Sequence, residues 1–329
     1  MQWQSGESVI ENFEVLAHAD WSVRKSGRWL VTAEPFKGKW RIHEPVMVNV
    51  KGLLGEDIGS RGMLGVDVPI GVPIHWANSV KIDCFLRALK NFGEDHWVDT
   101  LHPAVTADQI SLFRPFYPQR PGGAKQAHIL KALDASHINL LRRHCDFDEA
   151  GRPAASPLFW TLGAAQVGKA AIDFWLNVLR PAVLAELVHV WPFHGTLLEL
   201  ANGAKPIVAE TYPGEAYSWF NLEITKNNRS KRRVEDRALD SQRLLEVVSK
   251  LDFDLEPNAE EQVINGFKNG GEDAFDAFIG LLAVVSVVKG HRPEQVIWDD
   301  AVRQTEGWIL GRRPGPRTFS MMSEERNSV

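Results

Sequence analysis

The chain has 329 residues, of which 44% are hydrophobic and 24% charged; these proportions fit a globular protein and exclude collagen-like, low-complexity and wholly disordered chains. The formal net charge of -5 excludes a surface that coats nucleic acid throughout, while leaving room for a local basic grip. Two cysteines, Cys84 and Cys145, are too few for a disulfide framework or a cysteine metal cluster and fit a reducing compartment.

The opening stretch MQWQSGESVIENF is acidic and polar, without the basic and apolar regions of a signal peptide. The longest apolar stretch, Phe275 to Val288, carries Asp276 and is shorter than the about 20 residues a bilayer span needs. A soluble, cytoplasmic protein with no membrane association is therefore expected. Glu14 to Ala19 reads as a short strand ending at Asp20, and Arg28 to Glu34 alternates as a second strand. Lys39 to Val48 follows as a third, so the three predict an antiparallel meander. Asn49 to Ser60 reads as a short helix stopped by Gly59. Gly62 to Val68 is apolar except for Asp67, the pattern of a strand buried on both faces.

From Ile74 to Ala155 the composition shifts to Pro, His and Arg, with helical pieces at Val80 to Lys90 and Lys125 to Cys145; a helical insertion is predicted there. Ser156 to Leu162 reads as extended, Gln166 to Val190 as a helix interrupted at Pro181, and Lys205 to Ala209 as a buried strand ahead of Glu210. Asn227 to Leu251 predicts a charged amphipathic helix, Ala259 to Gly266 a short helix, and Glu272 to Val288 a helix apolar on every side and hence buried. The expected class is α/β, a mixed sheet of three antiparallel and then parallel strands flanked by helices. Residues 1–73 would begin the core, 74–155 form the insertion, 156–311 complete the core and 312–329 form a flexible tail. Most of the 12 tryptophans are expected in the core or at its rim.

Acids mark the chemistry. Asp20, Asp67 and Glu210 each follow or end a strand-like run, and Asp273 and Asp276 open the late apolar helix. Ligand sites in α/β sheets lie at the carboxyl ends of strands, and a carboxylate beside a buried apolar run is costly unless paired or metal-bound. Convergent carboxylates repel unless a cation neutralises them, and hard oxygen ligands suit Mg²⁺ or Mn²⁺. Two such ions about 4 Å apart can activate water and stabilise a leaving oxygen in phosphodiester cleavage. Three of these acids also have a plainer account: Asp67 shapes a turn before Pro69, Asp273 complements a helix dipole, and Glu210 is an exposed strand end; Asp276, further into the apolar helix, is harder to explain that way.

Gly163 to Lys169 fits the phosphate-cradling GxxxxGK pattern, but Ala170 stands where a Mg²⁺-binding hydroxyl belongs. A true phosphate loop is therefore not expected, and the plain account of Lys169 is a solvent-facing helix lysine. The densest basic run, KNNRSKRRVEDR (226 to 237), offers Arg229, Lys231 and Arg232 to phosphates, or is a solvated helix face. No HExxH-type spacing occurs among the 11 histidines; His18 and His194 could assist proton transfer or be structural.

The motifs GVDVPIG (65 to 71), FWTLGAAQVGKAAIDFW (159 to 175), VWPFHG (190 to 195), AETYPGEAY (209 to 217) and EDAFDAFIGLL (272 to 282) resemble, in this order, the DUF429 family, over about Val15 to Val288. The resemblance implies a ribonuclease H-like fold with a nuclease-type acidic centre. It places Asp20 on the first strand, Asp67 on the strand after the first crossover, and Asp273 and Asp276 on the last helix; Glu210 belongs to the family's own ETYP pattern. One departure is the turn after the first strand, HADWSVRKSG, where the family carries small residues; Trp21 and Arg24 there bear on access. The function expected is metal-dependent hydrolysis of nucleic-acid phosphodiesters, with Asp20, Asp67, Asp273 and Asp276 holding Mg²⁺ or Mn²⁺, Glu210 a ligand or orienter, and Lys169, Arg229, Lys231 and Arg232 touching substrate. Junction-cleaving members of the superfamily act as dimers, which makes a homodimer a candidate state. The alternatives are a non-catalytic nucleic-acid or protein-binding module of the same fold and, ranked last, an actin-like nucleotide-binding ATPase.

Overall fold

The computed structural model describes residues 7–117, 123–147, 154–162, 167–226, 228–294 and 299–313. The chain divides into two compact units. The first holds residues 1–67, 187–295 and 309–311; the second holds 68–186, 296–308 and 312–329. The strands are β1 (Val15–Asp20), β2 (Trp29–Phe36), β3 (Lys39–Ile42), β4 (Val46–Met47), β5 (Gly62–Val66), β6 (His189–Trp191), β7 (Ile207–Glu210) and β8 (Phe253–Leu255). The helices are α1 (Ile74–Ser79), α2 (Phe85–Asn91), α3 (Gln126–Ala132), α4 (Val167–Phe174), α5 (Arg180–Leu184), α6 (Leu197–Ala201), α7 (Pro213–Trp219), α8 (Val234–Ala238), α9 (Ser241–Lys250), α10 (Pro257–Ile264), α11 (Gly271–Val288) and α12 (Asp300–Thr305). Among the described residues no helix is long and apolar enough to cross a membrane.

The first unit is built on one mixed sheet in the order β6-β7-β5-β1-β2-β3-β8, with β4 on β2. β1, β2 and β3 form the antiparallel meander, while β1, β5, β7 and β6 run parallel to one another. The α/β class and the antiparallel-then-parallel sheet expected from sequence are thus present. In β1, β5 and β7 nearly every residue is buried, which explains their unbroken apolar runs. The helix α11 packs against β1, β2 and β5. Every residue of it from Ala274 to Val288 is buried, and Ser286 returns its hydroxyl to the Leu282 carbonyl at 2.8 Å, so no hydroxyl is stranded.

Glycines let this helix come close to the sheet. A Cβ on Gly280 would stand 2.2 Å from the His18 ring, and one on Gly65 would stand 2.6 Å from Val284. The His18 imidazole fills the space they leave, fully buried, with Nε2 2.8 Å from the Thr211 hydroxyl. Burial drives this imidazole down to about 3, so His18 is a neutral core side chain at physiological pH and not a proton shuttle. His194 is likewise structural: its Nδ1 accepts from the Val190 amide at 2.9 Å.

Several boundaries differ from the sequence reading. The helix expected to reach Val190 ends at Leu184, with Glu186 left-handed at φ 53°; Val190 instead lies on β6, beside β7. The interruption expected at Pro181 takes the form of a π-helical stretch, Trp175–Leu179, between α4 and α5, with Pro181 in the first turn of α5. The third strand stops at Ile42, and Pro45 precedes the separate β4, since proline has no amide for the ladder. The helix expected over 227–251 is two pieces, α8 and α9, and Leu239 lies exposed between them. The tail from residue 314 and the start of the GxxxxGK segment, 163–166, lie outside the described residues.

The second unit is mainly helical and packed with aromatic rings. Trp76 lies edge-on to Phe159 at 5.1 Å, and Phe85 meets Trp175 at 4.9 Å. Both indoles find carbonyl acceptors, Trp76 on Leu112 and Trp175 on Pro69, as buried tryptophans usually do. Buried polar groups pair here as well: Arg143 with Asp146 in an ion pair at 2.9 Å, and the His144 ring nitrogen Nδ1 with Glu306 at 2.8 Å. Gly168 is explained by packing, because a Cβ there would stand 2.1 Å from the Leu158 carbonyl oxygen.

Candidate functional site

The carboxyl ends of β1 and β5 are adjacent in register, with Ala19 opposite Val66, and the Asp67 amide donates to the Ala19 carbonyl at 3.1 Å. Asp20 and Asp67 therefore leave neighbouring parallel strands at the same edge of the sheet. Glu210 ends β7 opposite Val66, which makes it the next acid along that edge. The first turns of α11 bring Asp273 and Asp276 to the same place. Asp273 lies against the loop after β1: a Cβ on Gly27 would stand 3.1 Å from its Oδ2.

The electrostatics show that these acids share one field. Burial, followed by the negative charges of Asp276, Asp67 and Asp273, holds the Asp20 carboxyl well above its ordinary range. Asp67 is pushed up to about 7, first by burial and then by Asp276, with a smaller contribution from Glu210. Burial raises Asp276 too, against the opposing pull of Lys231 and Tyr217. Asp273, less enclosed, is raised by burial, Glu272 and Asp276.

Two further side chains complete the centre. Tyr217, buried on α7, donates its hydroxyl to Asp276 Oδ1, and the Lys231 ammonium donates to Asp276 Oδ2. Burial works to lower the Lys231 amine, but Asp276, then Asp67 and Asp20, outweigh it and hold the ammonium above its ordinary value. The Tyr217 phenol is raised by burial and by the same acids. Tyr217 was not singled out from sequence, although it lies within AETYPGEAY. The available signal was Pro213, which opens a helix directly after β7 and aims its first turns back across the sheet edge.

The other predicted contacts have different surroundings. Arg229 lies 3.9 Å from Glu223, and Arg232 lies 3.8 Å from Glu272. Arg233 closes on Asp236 at 2.5 Å, and Arg237 anchors the segment through the Gly266 carbonyl at 2.7 Å. Lys169 belongs to the second unit, on α4. In the divergent turn after β1, Trp21 is buried beneath the Arg28 guanidinium at 4.6 Å. Arg28, rather than Arg24, fastens that turn, through the carbonyls of Ser22 and Val23.

The donor set suits a hard divalent cation, since it is all oxygen, and an ammonium already stands as counter-charge among the acids. It is not a ready-made cage. Among the described residues, no group of three or more His, Cys, Asp or Glu is arranged to hold an ion. Comparison with family models, curated proteins and solved structures finds no match to this chain.

The raised Asp67 makes a pH prediction. Its folded value of about 7 lies above the unfolded one, so the folded protein holds the extra proton between about pH 4 and 7. Asp67 therefore costs stability as pH rises through that window. His18 acts oppositely, adding stability between about pH 3 and 6.5, so the wild type alone shows a blunted slope. Asp67→Asn isolates the effect. In EDTA, the stability of the variant minus that of the wild type is expected to rise by on the order of 2 kcal/mol from pH 5 to pH 8, measured by urea denaturation; parallel profiles would refute the raised carboxyl.

Proposed function

We propose that the protein is a metal-dependent nuclease, with Asp20, Asp67 and Asp276 as its principal metal-holding groups and Asp273 and Glu210 beside them. The observation that carries this reading is the convergence of two adjacent strand ends and a helix start on one buried, mutually repelling set of carboxylates. Such a set is costly to stability and has no packing purpose. The strand order β3-β2-β1-β5-β7, with only β2 antiparallel to its neighbours, supports the ribonuclease H-like part of the proposal and, with it, the kinship to the DUF429 family.

A divalent cation, when bound, would supply the Lewis acid for attack of water on phosphorus. The protein's own groups set the stage for it. Asp20 and Asp67, on rigid strand ends, fix the oxygen donors. Tyr217 holds one oxygen of Asp276, so the carboxylate presents the other in a defined direction. Arg229 and Arg232, on the rim, would draw the polyanion towards the edge.

The test is a panel of labelled single- and double-stranded DNA and RNA, incubated with Mn²⁺ or Mg²⁺, with and without EDTA. Cleavage of at least one substrate, abolished by EDTA, is expected. Binding of a nucleic acid without cleavage of any member would instead favour a non-catalytic module.

A further inference from the structure

This inference rests on the metal reading above and concerns how the centre is loaded. We propose that the Lys231 ammonium is a built-in occupant of the acidic centre that a divalent ion must displace from Asp276, and that its release hands a positive charge to the substrate's phosphates.

Both oxygens of Asp276 are engaged, one by Tyr217 and one by Lys231. The two partners differ in freedom. Tyr217 is buried on α7, which packs on α11. The Lys231 side chain is 42% exposed and Asp276's is 5% exposed, so the lysine reaches in from the solvent side on a flexible stem. Its backbone stays fixed, because the Arg237 guanidinium holds the Lys231 carbonyl. Swinging the ammonium outward therefore requires side-chain rotation and no unfolding.

The neighbouring cations cannot replace it. Arg229, Arg232 and Arg233 are matched with Glu223, Glu272 and Asp236, and Arg237 is held on the Gly266 carbonyl, whereas the Lys231 ammonium bonds a buried acid of the centre directly. A single ammonium undercompensates the carboxylates gathered around it, Asp276, Asp67 and Asp20. A doubly charged ion answers that field better, but it needs the Asp276 lone pair that Lys231 holds. Ion entry and lysine exit are thus one exchange. The ejected ammonium lies beside the centre, where a phosphodiester would sit.

Calorimetric titration of metal-free protein with Mn²⁺ tests the exchange. Lys231→Met keeps the stem and removes the competitor, so it should bind Mn²⁺ about tenfold tighter or better than wild type, whereas Lys231→Arg should not. Lys231→Gln provides a second neutral variant should the methionine disturb folding, and Mn²⁺ should raise the Tm of either neutral variant more than that of wild type. Asp20→Asn should abolish the Mn²⁺ heat in every background. If neutral variants bind Mn²⁺ no tighter than wild type while Asp20→Asn still abolishes binding, the exchange is wrong and the metal centre stands. If no variant shows Asp20-dependent binding, both fall.

Discussion

Gly280→Ala is expected to unfold the first unit or lower its stability by more than about 3 kcal/mol, at the upper end of overpacking effects. Alanine is the better helix former by about 1 kcal/mol, so propensity alone predicts the opposite sign. Space decides. The new methyl would stand 2.2 Å from Cε1 and Nε2 of His18 and 2.3 Å from Nδ1. The ring has nowhere to retreat, being fully buried and held on the Thr211 hydroxyl. The helix cannot lift away without uncovering its contacts with β1, β2 and β5. Pairing the change with His18→Ala should restore part of the loss, giving a coupling above about 1 kcal/mol in a double-mutant cycle measured by denaturation. An unchanged or higher Tm for Gly280→Ala alone would show that the helix is not seated on the sheet as described.

On the proposed metal-dependent nuclease reading, Asp20→Asn is expected to reduce cleavage by about 10³-fold or more, since loss of a carboxylate assigned to hold the ion would forfeit several kcal/mol of transition-state stabilisation. The same change should raise the Tm of the metal-free protein. Asp20 is buried against three other acids, and an amide of the same shape removes that repulsion. Lower activity with higher stability is the signature of a group kept for chemistry rather than folding. A structural aspartate would lose both together. The contrast is measured by substrate turnover and calorimetric melting on one preparation.

Much of this was legible in the sequence because burial leaves a plain trace. The apolar runs ending at Asp20 and Asp67, and the long apolar helix opening with Asp273 and Asp276, each marked an element and a charge at its end. Parallel pairing then put those ends side by side. What stayed hidden depended on contacts between distant segments. β6 and β8 are three residues each and gain their identity only from β7 and β3. The role of Lys231 was obscured by its basic neighbours, because charge density does not reveal which cation turns inward. Tyr217 was missed since a lone tyrosine in a helix is usually core, and only the position of Asp276 across from α7 gives its hydroxyl a task. The tight seat of His18 likewise required knowing that Gly65 and Gly280 face it from two elements.

The cover of β1 has a consequence for biosynthesis. β1 rests against α11, whose residues are made some 250 positions later, as the numbers of His18 and Gly280 show. Until then this part of the nascent sheet lacks its α11 cover. Contacts so distant along the chain slow folding and lengthen the time during which sticky surface is available to chaperones or to other chains. A stalled or truncated product ending before Gly271 would carry β1 to β8 and still lack the helix that covers β1, β2 and β5.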